Sequence, residues 1–305
     1  MSISILKPGI SCSIQDLGRW GYQQYGVPIG GAMDLVSAVT ANRICGNEDG
    51  EAVLECTLHG TELLFNETTT FALTGGGSAA TVNGMPITFN RLTKAIAGSV
   101  LKLHPDPKGC RSYLACAGGL SVPKELGSAS TYVPARLGGQ SGRNLAAGDL
   151  VQIKKPLQEN ENEKGIVIHE HGFGTASWKA SLFPMPHVKE TVILSCKTGP
   201  EWDWFDATMQ SQFLEQTYKI GSRSDRMGYR LEGSVLTLKE KKELVSTAVT
   251  RGIVQLTHEG LPIVLMADAQ TIGGYPRIAR LSNASMALLA QCRPGMALRF
   301  VAEAT

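Results

Sequence analysis

Short stretches in which apolar and polar residues alternate recur along the chain, and they predict β-strands with one buried face. The clearest is 61–75, TELLFNETTTFALTG, in which an Asn-Glu turn separates two runs. In 80–89, Asn83-Gly84 is a strong hairpin signal because both turn positions tolerate positive φ. Further strands are expected within 190–199, 234–240 and 252–267.

Helical periodicity is limited to three stretches. In 31–47, Asp34 is a candidate N-cap and Gly46 a candidate stop. In 201–221, apolar residues recur four apart on one face, and in 282–295 Asn283 is a candidate cap. The whole pattern predicts a mainly β protein with about three short helices, as in barrels or sandwiches.

One polar stretch, 154–165 (KKPLQENENEKG), lacks apolar periodicity and divides the chain almost in half. It is the expected linker between an N-terminal β domain, 1–155, and a C-terminal β domain, 165–305. The sequence LECTLHGTELLF near position 60 loosely resembles VQLTHEGLPIVLM near 260, so duplication of one β domain is a hypothesis.

Composition narrows the classes of function. A net charge of +2 and 6% aromatic residues indicate no nucleic-acid partner. The longest apolar run, 261–267, is too short to cross a membrane, and no signal-peptide pattern is seen. Seven cysteines without a CxxC pair indicate buried reduced thiols in a cytoplasmic protein.

Common catalytic motifs are missing from the sequence. It has no GxxxxGK[ST] phosphate loop, no HExxH zinc helix and no GxSxG nucleophile turn. No metal site is therefore expected. An active site would be assembled from scattered loop residues, as is usual on β scaffolds.

Two glycine-rich stretches carry candidate binding residues. In 16–34, DLGRWGYQQYGVPIGGAMD, glycines allow close backbone approach to a ligand and leave N–H donors available. The candidates there are Arg19, Gly31, Met33 and Asp34. In 114–150, hydroxyl and guanidinium groups suited to anions include Ser130 and Arg143. Loops without a binding role are the alternative for both stretches.

The stretch 222–233, SRSDRMGYRLEG, concentrates charge around a tyrosine. Arg226 or Arg230 would hold a carboxylate or phosphate in bidentate geometry. Asp225 would orient one of these arginines, and Tyr229 completes the candidate set. A solvated hairpin is the alternative.

In 266–280, MADAQTIGGYPRIAR, a continuous apolar strand runs into polar residues. Asp268 at its end is a candidate general base or polar anchor, and a strand-ending Asx turn is the alternative. Gln255, on the preceding strand, is expected to face the same cavity. The accompanying candidates are Gln270, Thr271, Gly273, Gly274 and Tyr275.

Six motifs occur in order along the chain: GVPIGGAMD, AGG, GSASTY, GGQSGR, SDRMGYRLEG and MADAQTIGGYP. Together they resemble the KipA family, also called the allophanate-hydrolase subunit 2 or carboxyltransferase-domain family. The resemblance implies two tandem cyclophilin-like β-barrel domains. With it, Asp268, Arg226 and Tyr275 are the predicted catalytic residues, and the other candidates are predicted to bind substrate.

The resemblance also implies partners and an activity. Such chains pair with a KipI-like subunit (PxpB), and with a LamB/YcsF-like subunit (PxpA) they act as an ATP-dependent 5-oxoprolinase, in which this chain would be the third component. The substrate would be a small amide or lactam, and the chain alone is expected to be inactive. ATP, with Mg, is expected at the level of the complex because the chain has no nucleotide motif.

Two alternatives stay open. A carboxyltransferase component of a biotin-dependent urea or amide carboxylase would need biotin on another polypeptide, since no lysine here adjoins a methionine. A non-enzymatic antagonist of a KipI-like inhibitor would need only to bind its partner.

Overall fold

The computed structural model describes residues 1–155, 163–240 and 242–303. The chain divides into two compact units, the first formed by Met1–Gly18 and Asp34–Met185 and the second by Arg19–Met33 and Pro186–Thr305. This grouping differs from the predicted boundaries of 1–155 and 165–305 at two places. Residues 19–33 join the second unit, and residues 165–185 join the first. Most of the expected linker, 156–162, lies outside the described residues.

The first unit is a mainly β structure with one α-helix. Its elements are β1 Ser2–Pro8, β2 Ser11–Gln15, α1 Leu35–Ile44, β3 Val53–Thr57, β4 Thr61–Phe65, β5 Thr69–Gly75, β6 Ser78–Val82, β7 Met85–Ile87, β8 Leu92–Ala95, β9 Val100–Pro105, β10 Arg111–Cys116, β11 Leu150–Gln152 and β12 Phe173–Thr175. A short 3-10 helix spans Val133–Ala135.

Two six-stranded sheets organise this unit, with strand orders β11-β1-β4-β9-β6-β7 and β12-β8-β5-β10-β3-β2. The pairing of β12 with β8 explains why the segment after the expected linker belongs to the first unit. Apolar side chains form the core, in which the rings of Phe65 and Phe71 stack with centroids 4.8 Å apart.

The second unit contains a closed barrel. Its elements are β13 Thr191–Thr198, α2 Ala207–Glu215, β14 Tyr218–Ile220, β15 Gly228–Glu232, β16 Thr247–Ala248, β17 Ile253–Leu256, β18 Pro262–Leu265, β19 Ile272–Gly273, β20 Arg277–Leu281, α3 Asn283–Ala290 and β21 Ala297–Ala302, with short 3-10 helices at Gln23–Tyr25 and Trp202–Trp204.

The barrel has seven strands in the order β13-β20-β17-β18-β15-β14-β21. Parallel pairing of β13 with β21 closes it, and β16 and β19 form a separate two-stranded sheet. Helix α2 packs on β21 through Phe213 and Phe300, whose rings stack with centroids 4.6 Å apart.

Several predicted elements are confirmed. Over the described residues, the molecule is mainly β with three short α-helices. The Asn83-Gly84 turn joins β6 to β7 with φ values of 51° and 83°. Asp34 caps α1, accepting a hydrogen bond from the Ser37 N–H at 3.0 Å. All seven cysteines are buried and none is in a disulfide.

Three local predictions are wrong. Residues 234–240 form no strand, because their backbone groups bond to loops, as from Leu236 N to Gly260 O at 2.9 Å. The stretch 201–221 is not one helix: it contains the 3-10 helix Trp202–Trp204 and α2, after which Gln216 is extended and Tyr218–Ile220 is a strand. Helix α3 is capped by Ser282, one residue before the predicted cap.

In the described parts of the chain, no helix is long and apolar enough to cross a membrane.

Candidate functional site

Three of the stretches singled out in the sequence meet in the second unit. The Gly30 N–H donates to the Ala267 carbonyl at 3.0 Å, which joins the glycine-rich segment to the end of β18. The Arg226 guanidinium donates to the Gly31 carbonyl at 2.6 Å. These bonds explain why residues 19–33 belong to this unit.

The centre of this arrangement is an ion pair between Arg226 and Asp268. Arg226 Nε lies 2.8 Å from Asp268 Oδ2, and Nη2 lies 3.0 Å from Oδ1. The Asp268 side chain is only 7% exposed and that of Arg226 24%. The carboxylate is therefore bound by a bidentate guanidinium, the geometry of a strong charge-assisted pair.

Strand pairing brings the two residues together. Strands β15 and β18 are antiparallel, with Gly228 opposite Leu265. Arg226 precedes β15 by two residues, and Asp268 follows β18 by three, so both lie at the same end of the pair. A backbone bond from Asp268 N to Arg226 O, 2.8 Å long, continues the ladder. The sequence predicted both residues, and this geometry favours the polar anchor among the roles considered for Asp268.

A second arginine, Arg251, was missed by the sequence reasoning. Its guanidinium donates to the Ala32 carbonyl at 3.1 Å and also to the Met33 carbonyl. Arg226 and Arg251 together donate to three successive carbonyls, those of Gly31, Ala32 and Met33. Gly30 and Gly31 have φ values of 68° and 85°, in the left-handed region of backbone conformation that favours glycine. Arg251 lies in a short turn before β17, and no motif marks it.

An amide pair links the Asp268 loop to Tyr275. Buried Gln255 donates from Nε2 to the Tyr275 carbonyl at 3.2 Å, and Gln270 donates to Gln255 Oε1 at 3.4 Å. A Cβ on Gly273 would lie 2.8 Å from Gln255 Nε2, so a larger residue there would displace the Gln255 amide. These contacts place Gln255 against the loop that follows Asp268, and the expectation that it faces the same cavity stays a prediction.

Thr271 takes part in the same loop through its backbone. Its carbonyl accepts a hydrogen bond from Val249 N at 3.0 Å. The bond extends the pairing of β16 with β19 and supports the loop between Asp268 and Tyr275.

A cavity of about 650 Å³ lies beside this loop, within the second unit. Residues 235–238, 242–244, 256–260 and 274–276 form its walls. Of the predicted site residues, Gly274 and Tyr275 line it. The Tyr275 ring lies edge-on to the His258 ring with centroids 5.0 Å apart. The volume suits a ligand of ordinary cofactor or drug size.

The wall beside Tyr275 is anchored by a second bidentate pair. Arg277 donates from Nε and Nη2 to Glu201 at 2.8 and 2.7 Å, and its backbone N–H donates at 2.9 Å. Burial alone would raise the pKa of Glu201, but hydrogen bonds from the Arg277 side chain and backbone outweigh it and lower the pKa. Sequence reasoning also missed this pair.

Three predicted binding residues of the second unit are buried. Met33 is fully buried in the barrel core. Tyr229 packs in the same core, and its hydroxyl donates to the Cys292 carbonyl at 3.3 Å. Arg19 is fully buried too, and its backbone N–H donates to Ile29 O at 2.6 Å. Met33 and Tyr229 therefore fit packing roles.

Asp225 and Arg230 lie on the exposed hairpin. The Asp225 carboxylate accepts hydrogen bonds from Met227 N at 2.8 Å and Gly228 N at 3.1 Å, as in an Asx turn. The expectation that Asp225 orients an arginine is therefore wrong for Arg226, because Asp268 orients that guanidinium. Arg230 is exposed on β15.

The other three predicted residues belong to the first unit. Asp34 caps α1, and its Oδ2 accepts from Ser37 Oγ at 2.6 Å. Ser130 Oγ donates to Asp16 at 2.5 Å. Arg143 forms a bidentate pair with Asp149 at 2.7 and 2.8 Å, and hydrogen bonding from Arg143 lowers the pKa of Asp149. Each has a local partner that stabilises a loop or helix end.

No group of three or more His, Cys, Asp or Glu side chains suited to a metal ion comes together in the residues that the structure describes. The candidate site is therefore an arrangement of arginine, carboxylate and amide groups beside a cavity.

Comparison with known proteins identifies the family. A model described as carboxyltransferase domain, subdomain A and B, matches residues 25–302. The chain is 36% identical to the C component of 5-oxoprolinase from Escherichia coli K12, over 98% of this chain and 90% of that protein. It is 34% identical to the 5-oxoprolinase C component from Haemophilus influenzae, over 98% and 91%.

The fold of the chain is also similar to that of a solved structure. The urea amidolyase of K. lactis matches with a TM-score of 0.86 and 29% identity, over 99% of this chain and 19% of that one. The chain belongs to the carboxyltransferase domain family, subdomains A and B.

Proposed function

We propose that this chain is the C component of an ATP-dependent 5-oxoprolinase, which opens 5-oxoproline to glutamate. The observation that carries the proposal is similarity along nearly the full length of both chains to a relative named as that component. In the proposed reaction, the lactam oxygen attacks the γ-phosphorus of ATP and ADP leaves. Water then attacks the activated carbon, and the C–N bond breaks to give an acyl phosphate and the free amine. A second water hydrolyses the acyl phosphate to glutamate and phosphate, so one ATP and two waters are consumed for each glutamate.

In this proposal, Arg226 and Asp268 are the pair on which the activity of this chain depends. Their bidentate contact fixes the end of β18, and the Arg226 bond to Gly31 fixes the glycine-rich segment. Asp268 acts by positioning Arg226. Tyr275, the third predicted catalytic residue, presents its ring to the cavity and is held through its carbonyl by Gln255.

ATP with Mg is proposed to bind on partner subunits, which we expect to be KipI-like and LamB/YcsF-like. The cavity of this chain supports that division. Its walls contain Lys242 but also Glu243 and Glu259. A triphosphate carries several negative charges and would meet more carboxylates than cations among the described lining residues.

Reconstitution tests the proposal. The purified chain is mixed with the two partner subunits, and glutamate and phosphate release from 5-oxoproline and ATP are followed. We expect turnover only in the three-subunit mixture. Arg226→Lys and Asp268→Asn should each lower kcat at least about tenfold, because both lose the bidentate geometry.

A matched control is available in Arg43, which forms an exposed bidentate pair with Asp49 at 2.7 Å on the first unit. Arg43→Lys makes the same chemical change away from the candidate site and should leave turnover unchanged. Absence of glutamate release from a correctly assembled complex would refute the proposal.

A second candidate function is carboxyl transfer, favoured by the match to urea amidolyase. In this case the chain moves a carboxyl group between carboxybiotin on another polypeptide and an amide nitrogen of the acceptor. A biotinylated carrier charged with labelled carboxylate, incubated with urea and this chain, separates the two candidates. Labelled carboxyurea without any ATP-driven release of glutamate would favour carboxyl transfer.

A further inference from the structure

The cavity of the second unit contains polar side chains that the protein itself does not use. Within the described residues, no hydrogen bond or ion pair reaches the side chains of Glu243 and Glu259, the ring nitrogens of His258, or the hydroxyl of Tyr275. The only recorded contact among these groups is the ring contact between His258 and Tyr275. They are available to a ligand.

Among the lining residues that the structure describes, the one cation, Lys242, has contacts of its own. Lys242 Nζ lies 3.5 Å from Glu240 Oε2 and 5.7 Å from the centroid of the Trp204 ring. A cation above an aromatic face and beside a carboxylate is held by both. In the described lining, the two carboxylates of Glu243 and Glu259 outnumber this ammonium group, so the formal charge of these side chains is negative.

Much of the remaining wall is apolar. Leu236, Leu238, Leu244 and Leu256 line the cavity, and Leu236 belongs to the buried barrel core. Burial of apolar ligand surface against such side chains provides affinity, while a few polar groups provide orientation. At about 650 Å³ the space also exceeds what a single small lactam fills.

From these features we infer that the cavity is a second ligand site, for an amphiphilic small molecule with an apolar body and an N–H donor head group, either ammonium or amide. The carboxylates of Glu243 and Glu259 and the Tyr275 hydroxyl would receive the head group. Anionic heads, including carboxylates and phosphates, would be disfavoured. The site does not include the Arg226–Asp268 pair, although it shares Tyr275 with the proposed catalytic residues, and binding to it does not depend on the proposed function.

Three naphthalene derivatives that differ only in the head group test this inference: 1-naphthylmethylamine, 1-naphthamide and 1-naphthoate. Each is titrated into the full-length chain by calorimetry, with saturation-transfer NMR to detect weak binding. The amine should bind about tenfold more tightly than the naphthoate, with the affinity of the amide between them. The reason is that replacing an attractive charge by a repulsive one lowers affinity by about tenfold. Equal affinity for amine and naphthoate would overturn the inference.

Variants locate the binding. Glu259→Gln should weaken the amine about threefold and leave the amide unchanged. Thr237→Trp, which adds an indole at an exposed position of the cavity wall, should abolish binding of all three compounds. Thr191→Trp, at an exposed position of β13 outside the cavity, is the control and should bind as the parent does.

The comparison of head groups and the titrations of the variants both measure binding, so neither depends on enzymatic activity. Binding that survives Thr237→Trp would place the compounds elsewhere and refute the site. Hydrogen exchange of the barrel strands in each variant shows that the fold is retained. Since the titrations use this chain without partner subunits, they distinguish failure of the inferred site from failure of the proposed 5-oxoprolinase activity.

Discussion

The Arg226–Asp268 pair permits a quantitative prediction about the stability of the second unit. Arg226→Ala removes two charge-assisted hydrogen bonds to Asp268 and one bond to the Gly31 carbonyl. It leaves a carboxylate that is 7% exposed without its guanidinium. Breaking a buried pair from one side costs about 3–5 kcal/mol. The 24% exposure of Arg226 places the expected loss at the lower end, about 3 kcal/mol.

The complementary change should cost less. Asp268→Ala leaves Arg226 partly in solvent and still bonded to Gly31, so we expect a loss of about 2 kcal/mol. In the double variant no unpaired buried charge remains, and the loss should stay near 3 kcal/mol rather than reach the sum of about 5. The resulting coupling free energy is about 2 kcal/mol.

Hydrogen exchange detected by mass spectrometry is the suitable assay, because the chain has two units and a single melting curve would average them. The amides of β15 and β18 report the second unit, and those of β4 and β5 report the first. Protection should fall only in the second unit. A coupling free energy below about 0.5 kcal/mol would show that the pair does not interact, and the assignment of Asp268 as a positioning residue would fail.

Three further predictions concern other residues. The pKa of Glu201 is lower in the folded state than in the unfolded state. Its pair with Arg277 therefore stabilises the protein above the unfolded glutamate pKa of about 4.3, and this stabilisation is lost as the pH falls through the folded-state pKa. Urea unfolding at pH 5 and pH 3 should therefore show a smaller acid-induced loss in Glu201→Gln than in the parent, and an equal loss would contradict this. Asp34→Ala removes the cap of α1 and should destabilise the first unit by about 1–2 kcal/mol, measured by exchange of the α1 amides; unchanged protection would contradict the cap. Arg143→Ala should leave turnover of the reconstituted complex unchanged, since the arginine serves a loop pair, and a large fall in kcat would restore it as a substrate-binding residue.

Local sequence signals predicted the local features of the fold. The Asn83-Gly84 hairpin and the Asp34 cap depend on backbone preferences of a few adjacent residues, and both are confirmed. The alternation in 234–240 was misleading because apolar residues at every second position also occur where an irregular segment covers a core. Leu236 is buried there, yet its backbone pairs with a loop rather than with a strand.

The division of the chain could not be read from composition. The polar stretch at 154–165 marked one change of segment, but residues 19–33 join the second unit through bonds to Ala267, Arg226 and Arg251, more than 190 residues away in sequence. Contacts at such separation depend on tertiary structure, and a single sequence read without an alignment carries no direct signal for them.

The same limit applies to the candidate site. Arg226 and Asp268 were both selected, but the partner assigned to the arginine was its sequence neighbour Asp225. Strand pairing instead brings in a carboxylate 42 residues away, and Asp225 turns to its own backbone. Arg251 had no motif at all, because a single arginine in a short turn resembles any solvated side chain until its acceptors are known.

The direction of hydrogen bonding in the glycine-rich segment changes the interpretation of its chemistry. Glycines and arginines together suggested backbone N–H groups and guanidinium groups available to an anion. In the structure, the Gly30 N–H is bonded to Ala267, and the carbonyls of Gly31, Ala32 and Met33 accept from Arg226 and Arg251. The guanidinium donors thus bind the protein itself. An anionic substrate that needs Arg226 must compete with Asp268 for it. Otherwise its cation comes from exposed Arg230 or from another polypeptide. The route through another polypeptide accords with a chain proposed to be active only within a complex.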